Sequence, residues 1–214
     1  LSISQNIKAA DKSLAFDGED DFVTIANNSA LNPTGAYTIG AWFKHEGHNT
    51  TPGKSNNFQS IITSRSQTTT ERGYMMYLEQ TTYKLTYWKG TSSTGSWVHS
   101  KSNEVSTWKE NGAGSPGTPG WQYYVIRFNG VKTQDVFLNG VEVKSNTTTK
   151  VINVQNTDKP TRIGAGRTEN ETVWYHFKGK IDEVAVWDEA LTDAEISALY
   201  NSGETLYAKE NYGD

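Results

Sequence analysis

Four carboxylates crowd one turn of the chain, at Asp17, Glu19, Asp20 and Asp21. Held so closely, they repel one another unless water or a shared cation screens them. Calcium is the natural cation to consider, since it takes about six to eight oxygens from carboxylates and backbone carbonyls. A second group of residues suits a different chemistry. Trp97 and Trp108 fall in the polar stretch 89–120, where no apolar periodicity explains their burial. Trp88 ends a strand beside that stretch, opposite in phase to Tyr87, and Tyr77 takes the outward phase if Tyr74, Met76 and Leu78 face a core. Trp174 follows Arg167 and Asn170 in another loop. Sugar rings stack their C–H faces on such aromatics while Asn and Arg bond the hydroxyls. Tyr77, Trp88, Trp97, Trp108, Arg167, Asn170 and Trp174 are therefore the candidate carbohydrate-binding set. The competing use of a loop tryptophan is to anchor its loop on the core.

Other patterns carry less. Gly112-Ala-Gly114-Ser-Pro-Gly117 fits the dinucleotide-binding spacing literally, but Pro116 and Pro119 forbid the helix that must follow it. His45 and His48 lie three residues apart at a strand end rather than on one helical face, a poor start for zinc. His99 with Arg65 or Arg72 could do acid–base work, and no motif supports it. The chain has no Cys, which excludes disulfides and thiol chemistry.

The elements that must position these residues are strands. Short alternating runs recur between turn signals, among them Tyr37 to Lys44, Gly73 to Gln80, Tyr83 to Trp88, Trp121 to Asn129 and Lys180 to Trp187. Asn139-Gly140 readily adopts the positive φ angles of a tight hairpin, and Asn129-Gly130 marks a turn before it. Tyr37, Ile39, Ala41 and Phe43 share one face of their strand, with Trp42 on the other. One short helix is signalled by a capping box of Thr192 and Glu195, a staple of Leu191 with Ile196, and a stop at Gly203. Composition agrees with a β domain. Thr, Ser and Asn number 26, 18 and 17, against only 9 Leu, and 25 aromatics argue against disorder. A net charge of -4 without a Lys/Arg cluster leaves no nucleic-acid footprint. No apolar run approaches the roughly 18 residues of a membrane helix. The chain begins at Leu1 without a signal peptide, as expected of a mature or excised piece of a larger protein.

Several segments together resemble the laminin G-like, concanavalin A-like jelly-roll family: FDGEDDFVTIANNSAL (16–31), YTIGAWFK (37–44), DVFLNGVEV (135–143) and the closing FKGKIDEVAVWDEALTDAEISALYNSG (177–203). The resemblance implies an all-β, two-sheet antiparallel β-sandwich with one short C-terminal helix. One domain over 1–214 is expected, enlarged by loop insertions at about 47–57 and 89–120. It also implies a structural calcium, with Gly18 giving a carbonyl, Asp182 a carboxylate and Asp17 nearby. The carboxylate and arginine motifs of the family's hydrolases and lyases are missing; Arg167-Thr168-Glu169 matches one of them only in part. The expectation is a secreted or cell-surface, non-catalytic module that binds a polysaccharide or glycan, with no nucleic-acid partner and no membrane insertion. A lyase or hydrolase with a divergent site, or a calcium-dependent protein-binding adhesion module, are the alternatives.

Overall fold

Period-two alternation sends every second side chain to one face of a strand, so two such faces can close on each other. The computed structural model describes residues 13–48, 57–67, 70–82, 84–91, 97–103, 120–150, 155–167 and 173–210. Its strands are β1 (Leu14–Asp17), β2 (Val23–Ile25), β3 (Tyr37–His45), β4 (Phe58–Gln67), β5 (Glu71–Glu79), β6 (Lys84–Gly90), β7 (Trp97–Lys101), β8 (Gln122–Phe128), β9 (Thr133–Leu138), β10 (Val141–Thr147), β11 (Thr161–Ile163) and β12 (Lys178–Trp187). A helix, α1, covers Asp193–Glu210. The strands form two six-stranded antiparallel sheets, ordered β1-β12-β3-β8-β9-β10 and β2-β11-β4-β5-β6-β7. No helix among the described residues is long and apolar enough to cross a membrane.

The inner faces meet in one core. Tyr37, Ile39, Phe43, Tyr124, Ile126 and Phe128 from the first sheet pack against Ile62, Tyr74, Met76, Leu78, Leu85 and Tyr87 from the second. Polar atoms also enter this layer: the Tyr37 and Tyr87 hydroxyls share a hydrogen bond of 2.5 Å, and the Tyr74 hydroxyl donates to the Leu31 carbonyl at 2.9 Å. Lys89 is the exception in charge. It is 1% exposed, with Nζ 4.7 Å from the Tyr37 ring and 5.6 Å from Phe128. Burial pushes its pKa down to about 7.

The expected hairpin forms at Asn139 and Gly140, with φ of 53° and 77°. The capping box forms too. The Thr192 backbone N–H donates to Glu195 Oε2 at 2.7 Å, and the Glu195 N–H donates back to Thr192 Oγ1 at 3.3 Å. Leu191 and Ile196 are buried together, as a staple requires. Two expectations need correction. The helix does not stop at Gly203 but runs to Glu210, because a glycine inside a helix costs only about 1 kcal/mol and does not forbid it. The stretch 89–120 is not a loop throughout: Lys89 and Gly90 complete β6, and Trp97–Lys101 forms β7. In β7 only Val98 and Ser100 face inward, so a single apolar residue was too weak a periodic signal.

Candidate functional site

The outward phase of the second sheet gathers aromatic rings. Strand register aligns Met75 with Trp88 and Trp88 with His99, while Tyr77 aligns with Thr86 and Lys101. Trp88 stacks on His99 with ring centroids 5.1 Å apart and lies 6.5 Å from Trp97. On its other side Phe58 is 6.1 Å away. Phe58 in turn meets Tyr175 at 5.7 Å, and Tyr175 meets Trp174 at 6.1 Å. Trp97, Trp88, Phe58, Tyr175 and Trp174 thus form an unbroken belt across the sheet. All five are half-buried, and His99 is exposed.

Backbone bonds place the far end of this belt. Ser60 N–H donates to the Tyr175 carbonyl at 2.9 Å, Gly166 N–H to Trp174 at 2.7 Å, and Phe177 N–H to Gly164 at 2.8 Å. A Cβ on Gly166 would lie 2.7 Å from Tyr175 Cδ2 and 2.8 Å from the Tyr77 hydroxyl, so only glycine allows this approach. Arg167 and Tyr175 both hold positive φ, 59° and 61°. Such left-handed residues cost about 1 kcal/mol each and concentrate at functional sites.

A cation accompanies each tryptophan of the belt. Arg65 Cζ is 5.1 Å from the Trp97 ring, Lys101 Nζ 6.0 Å from Trp88, and Arg167 Cζ 4.4 Å from Trp174. Arg162, 5.3 Å from the Phe22 ring, donates to the Gly166 and Arg167 carbonyls. Lys101 also bonds Glu79 at 3.0 Å. Burial alone would raise the Glu79 carboxyl, but bonds from Thr82 and Lys101 and the charges of Lys101 and Lys84 hold it below its ordinary value. Burial and the neighbouring Lys101 lower the His99 pKa.

Of the residues singled out in the sequence, Trp88, Trp97, Trp174 and Arg167 are brought into the belt. Tyr77 has the expected outward phase but is only 3% exposed, because Phe58 and Tyr175 cover it at 5.5 and 5.3 Å. It supports the belt from beneath rather than presenting a ring. Trp108 and Asn170 lie outside the described residues. Phe58, Tyr175, His99, Arg65 and Lys101 were missed as members. The alternation of Trp97, His99 and Lys101 at every second residue was the signal available for two of them. A separate cleft of about 440 Å³ between Ser29–Gly35, Gln155 and Asp188 has no aromatic wall.

The implied calcium set does not assemble. Asp17 pairs in register with Lys178, whereas Asp182 lies four residues further along β12, beyond the Leu14–Ile181 pair. At about 3.3 Å per residue that is a separation of ~13 Å along the strand. Asp182 therefore cannot share an ion with Asp17 and Gly18. Its Oδ1 instead accepts from the Glu183 N–H at 2.8 Å. The carboxylates that do converge are those of Asp17, Asp20 and Asp21, whose oxygens lie within 4.8 Å of one another. Asp17 Oδ1 already accepts from the Glu19 and Asp20 backbone, at 2.7 and 3.3 Å, and those bonds lower its pKa.

The family model for the concanavalin A-like lectin/glucanases superfamily, of laminin G type, matches residues 17–197. The chain belongs to this superfamily. Its two antiparallel six-stranded sheets are consistent with that superfamily's β-sandwich. The binding domain of Paraclostridial Mosquitocidal Protein 1 aligns with a TM-score of 0.62 at 13% identity, over 89% of this chain and 43% of that one. The CBM40 of the Ruminococcus gnavus IT-sialidase, bound to alpha2,6 sialyllactose, aligns at 0.61 and 14%, over 89% and 97%. The binding domain of Botulinum Neurotoxin DC in complex with SialylT aligns at 0.55 and 14%, over 85% and 39%. The chain thus spans less than half of the two toxin binding domains. At these identities the likeness is one of fold. No curated protein sequence matches the chain.

Proposed function

We propose that this superfamily member is a non-catalytic carbohydrate-binding domain that lays a glycan across the outer face of β4, β5, β6 and β7. The observation that carries the reading is the belt of five half-buried rings from Trp97 to Trp174. Successive rings meet nearly edge to face, at 81° for Trp88 and Phe58, 86° for Phe58 and Tyr175 and 82° for Tyr175 and Trp174, so a pyranose stacks on those that turn a face outward and the cations beside them bond its oxygens. The solved neighbours that hold sialyllactose and related glycans support the same use of the fold. A hydrolase reading meets a geometric obstacle on this face. Its carboxylates on β5, Glu71 and Glu79, stand eight residues apart, ~26 Å at about 3.3 Å per residue, whereas glycosidases hold their pair within about 10 Å. Glu79 is also committed to Lys101.

Calcium has only a scaffold role in this reading, at the turn of Asp17, Asp20 and Asp21. The domain would serve as one part of a larger secreted or cell-surface protein, much as the neighbours named above are binding domains. The experiment is retention on a broad glycan panel. The wild type should bind at least one glycan and Trp88→Ala should bind it about tenfold more weakly, a loss of about 1.4 kcal/mol. Failure of the wild type across the whole panel, or release of shortened or unsaturated products, overturns the reading.

A further inference from the structure

The belt is not a neutral stacking surface. Outward-facing residues of this sheet and its flanking loop carry five cations, Arg65, Lys84, Lys101, Arg162 and Arg167, against two carboxylates, Glu71 and Glu79. Five less two leaves a surplus of three positive charges among the described residues, in a chain whose net charge is -4. Among the described residues this face thus carries the opposite sign to the chain, with Glu169 and Glu171 of the same loop lying outside them. Position sharpens this. Arg65 sits at the Trp97 end and Arg167 at the Trp174 end, separated by four ring-to-ring steps of 5.7 to 6.5 Å. Lys101, between them, is matched by Glu79.

A neutral glycan would gain nothing from this placement that Asn or Gln would not supply. A guanidinium is the side chain whose planar fork matches a carboxylate or an ester-linked sulfate. Arg65 is 8% exposed, with Nη1 on Met75 Sδ at 3.2 Å, and Arg167 is half-buried over Trp174; at such shielded sites a charge-assisted bond from the remaining guanidinium N–H groups is worth more than in open water. We propose that the glycan taken by this face is acidic: a linear oligosaccharide whose pyranose rings lie along the belt and whose carboxylate or sulfate groups meet Arg65 at one end and Arg167 at the other. The inference rests on the carbohydrate-binding reading and names the ligand class for it. Single-stranded nucleic acid also offers rings and anions. Its evenly spaced phosphates, however, would pass Glu79 and the buried Glu71, and the protein's overall negative charge would oppose its approach.

The test is calorimetry with the whole chain against matched pairs of probes. These are polygalacturonate and its methyl ester, a sulfated galactan and the same galactan desulfated, sialyllactose and lactose, and an oligonucleotide of similar length. At least one acidic probe should bind about tenfold or more tightly than its neutral partner, and the carboxylate and sulfate arms identify which anion is preferred. That advantage should shrink severalfold between 50 mM and 500 mM salt, as the Debye length falls. Arg167→Gln should lose about tenfold for the acidic probe and several-fold less for its neutral partner, and Arg167→Lys should recover part of the acidic loss. Equal binding of acidic and neutral partners would overturn the acidic assignment while the carbohydrate reading stands. Preference for the oligonucleotide over every glycan would overturn the assignment as well. Binding to none of the probes would sink both.

Discussion

The two outer faces of the sandwich start from the same sequence device and end differently. On the first sheet, alternation turns out Trp42, Tyr123, Val125 and Phe137, and these close with Leu191, Ile196, Trp187 and Tyr200 into a second hydrophobic cluster beneath α1. Trp42 stacks on Tyr200 at 5.7 Å, interplanar angle 25°. Arg127 lies 4.7 Å from the Phe137 ring and is bound by Asp135 and Asp193 at 2.9 and 2.6 Å. Burial opposes the Arg127 charge, and those two carboxylates outweigh it and raise its pKa. On the second sheet, alternation turns out Trp88, Trp97 and Phe58, which stay half-buried beside cations in surplus. An outward aromatic is thus covered where an apolar helix meets it, and left half-buried where none does.

That contrast can be broken by mutation. Trp42→Ala should cost about 3–5 kcal/mol in denaturant unfolding, since it removes a buried indole from a packed cluster. Trp88→Ala should leave unfolding nearly intact and weaken glycan binding by about 1–2 kcal/mol, read by calorimetry. If both variants lose stability alike, the belt is a second core and not a binding face.

Between the two faces, Lys89 gives a test with a sign. Its folded pKa of about 7 lies below the ordinary 10.5, so the folded state binds fewer protons than the unfolded chain between those values. Stability should therefore rise as pH climbs from 7 toward 10. Lys89→Met should flatten that rise and add about 2 kcal/mol at pH 7, because a buried charge is replaced by a side chain of similar volume. His45 acts on the acid side. Burial first, and then His48, lowers its pKa to about 4 from 6.5, so stability should fall as pH drops from 6.5 toward 4, and His45→Gln should blunt the slope. Both are read as thermal midpoints across a pH series.

The smallest effect expected is that of calcium. A weak site of millimolar affinity would add about 1 kcal/mol at 5 mM ion. Asp20→Asn should abolish the resulting shift in Tm, and Asp182→Asn should leave it alone. The reverse pattern would contradict the strand register.

Much of the scaffold was legible because local chemistry decided it. The Asn139-Gly140 hairpin, the Thr192–Glu195 capping box, the split of Tyr37 from Trp42 and the outward phase of Trp88 each depend on residues a few positions apart. The site was only half legible. Trp97 was marked as a lone tryptophan in a polar stretch, yet its strand was hidden because Val98 is the only apolar residue β7 turns inward. Phe58 and Tyr175 gave no sign of their role, since they meet only when Ser60 bonds the Tyr175 carbonyl. Asp182 was misplaced for a related reason. Sequence likeness gives strand order, whereas the distance from Asp17 depends on register.

By itself the sequence determined the class of the fold and the phase of the strands it marked, such as Tyr37 against Trp42 and Tyr87 against Trp88, because side-chain periodicity is a property of the local backbone. Only the tertiary structure decided which outward rings α1 would cover, which would join into a belt, and where Arg65 and Arg167 would stand along it. Those outcomes depend on contacts between elements far apart in the chain, Trp42 with Tyr200 and Phe58 with Tyr175 among them, and no local pattern encodes them.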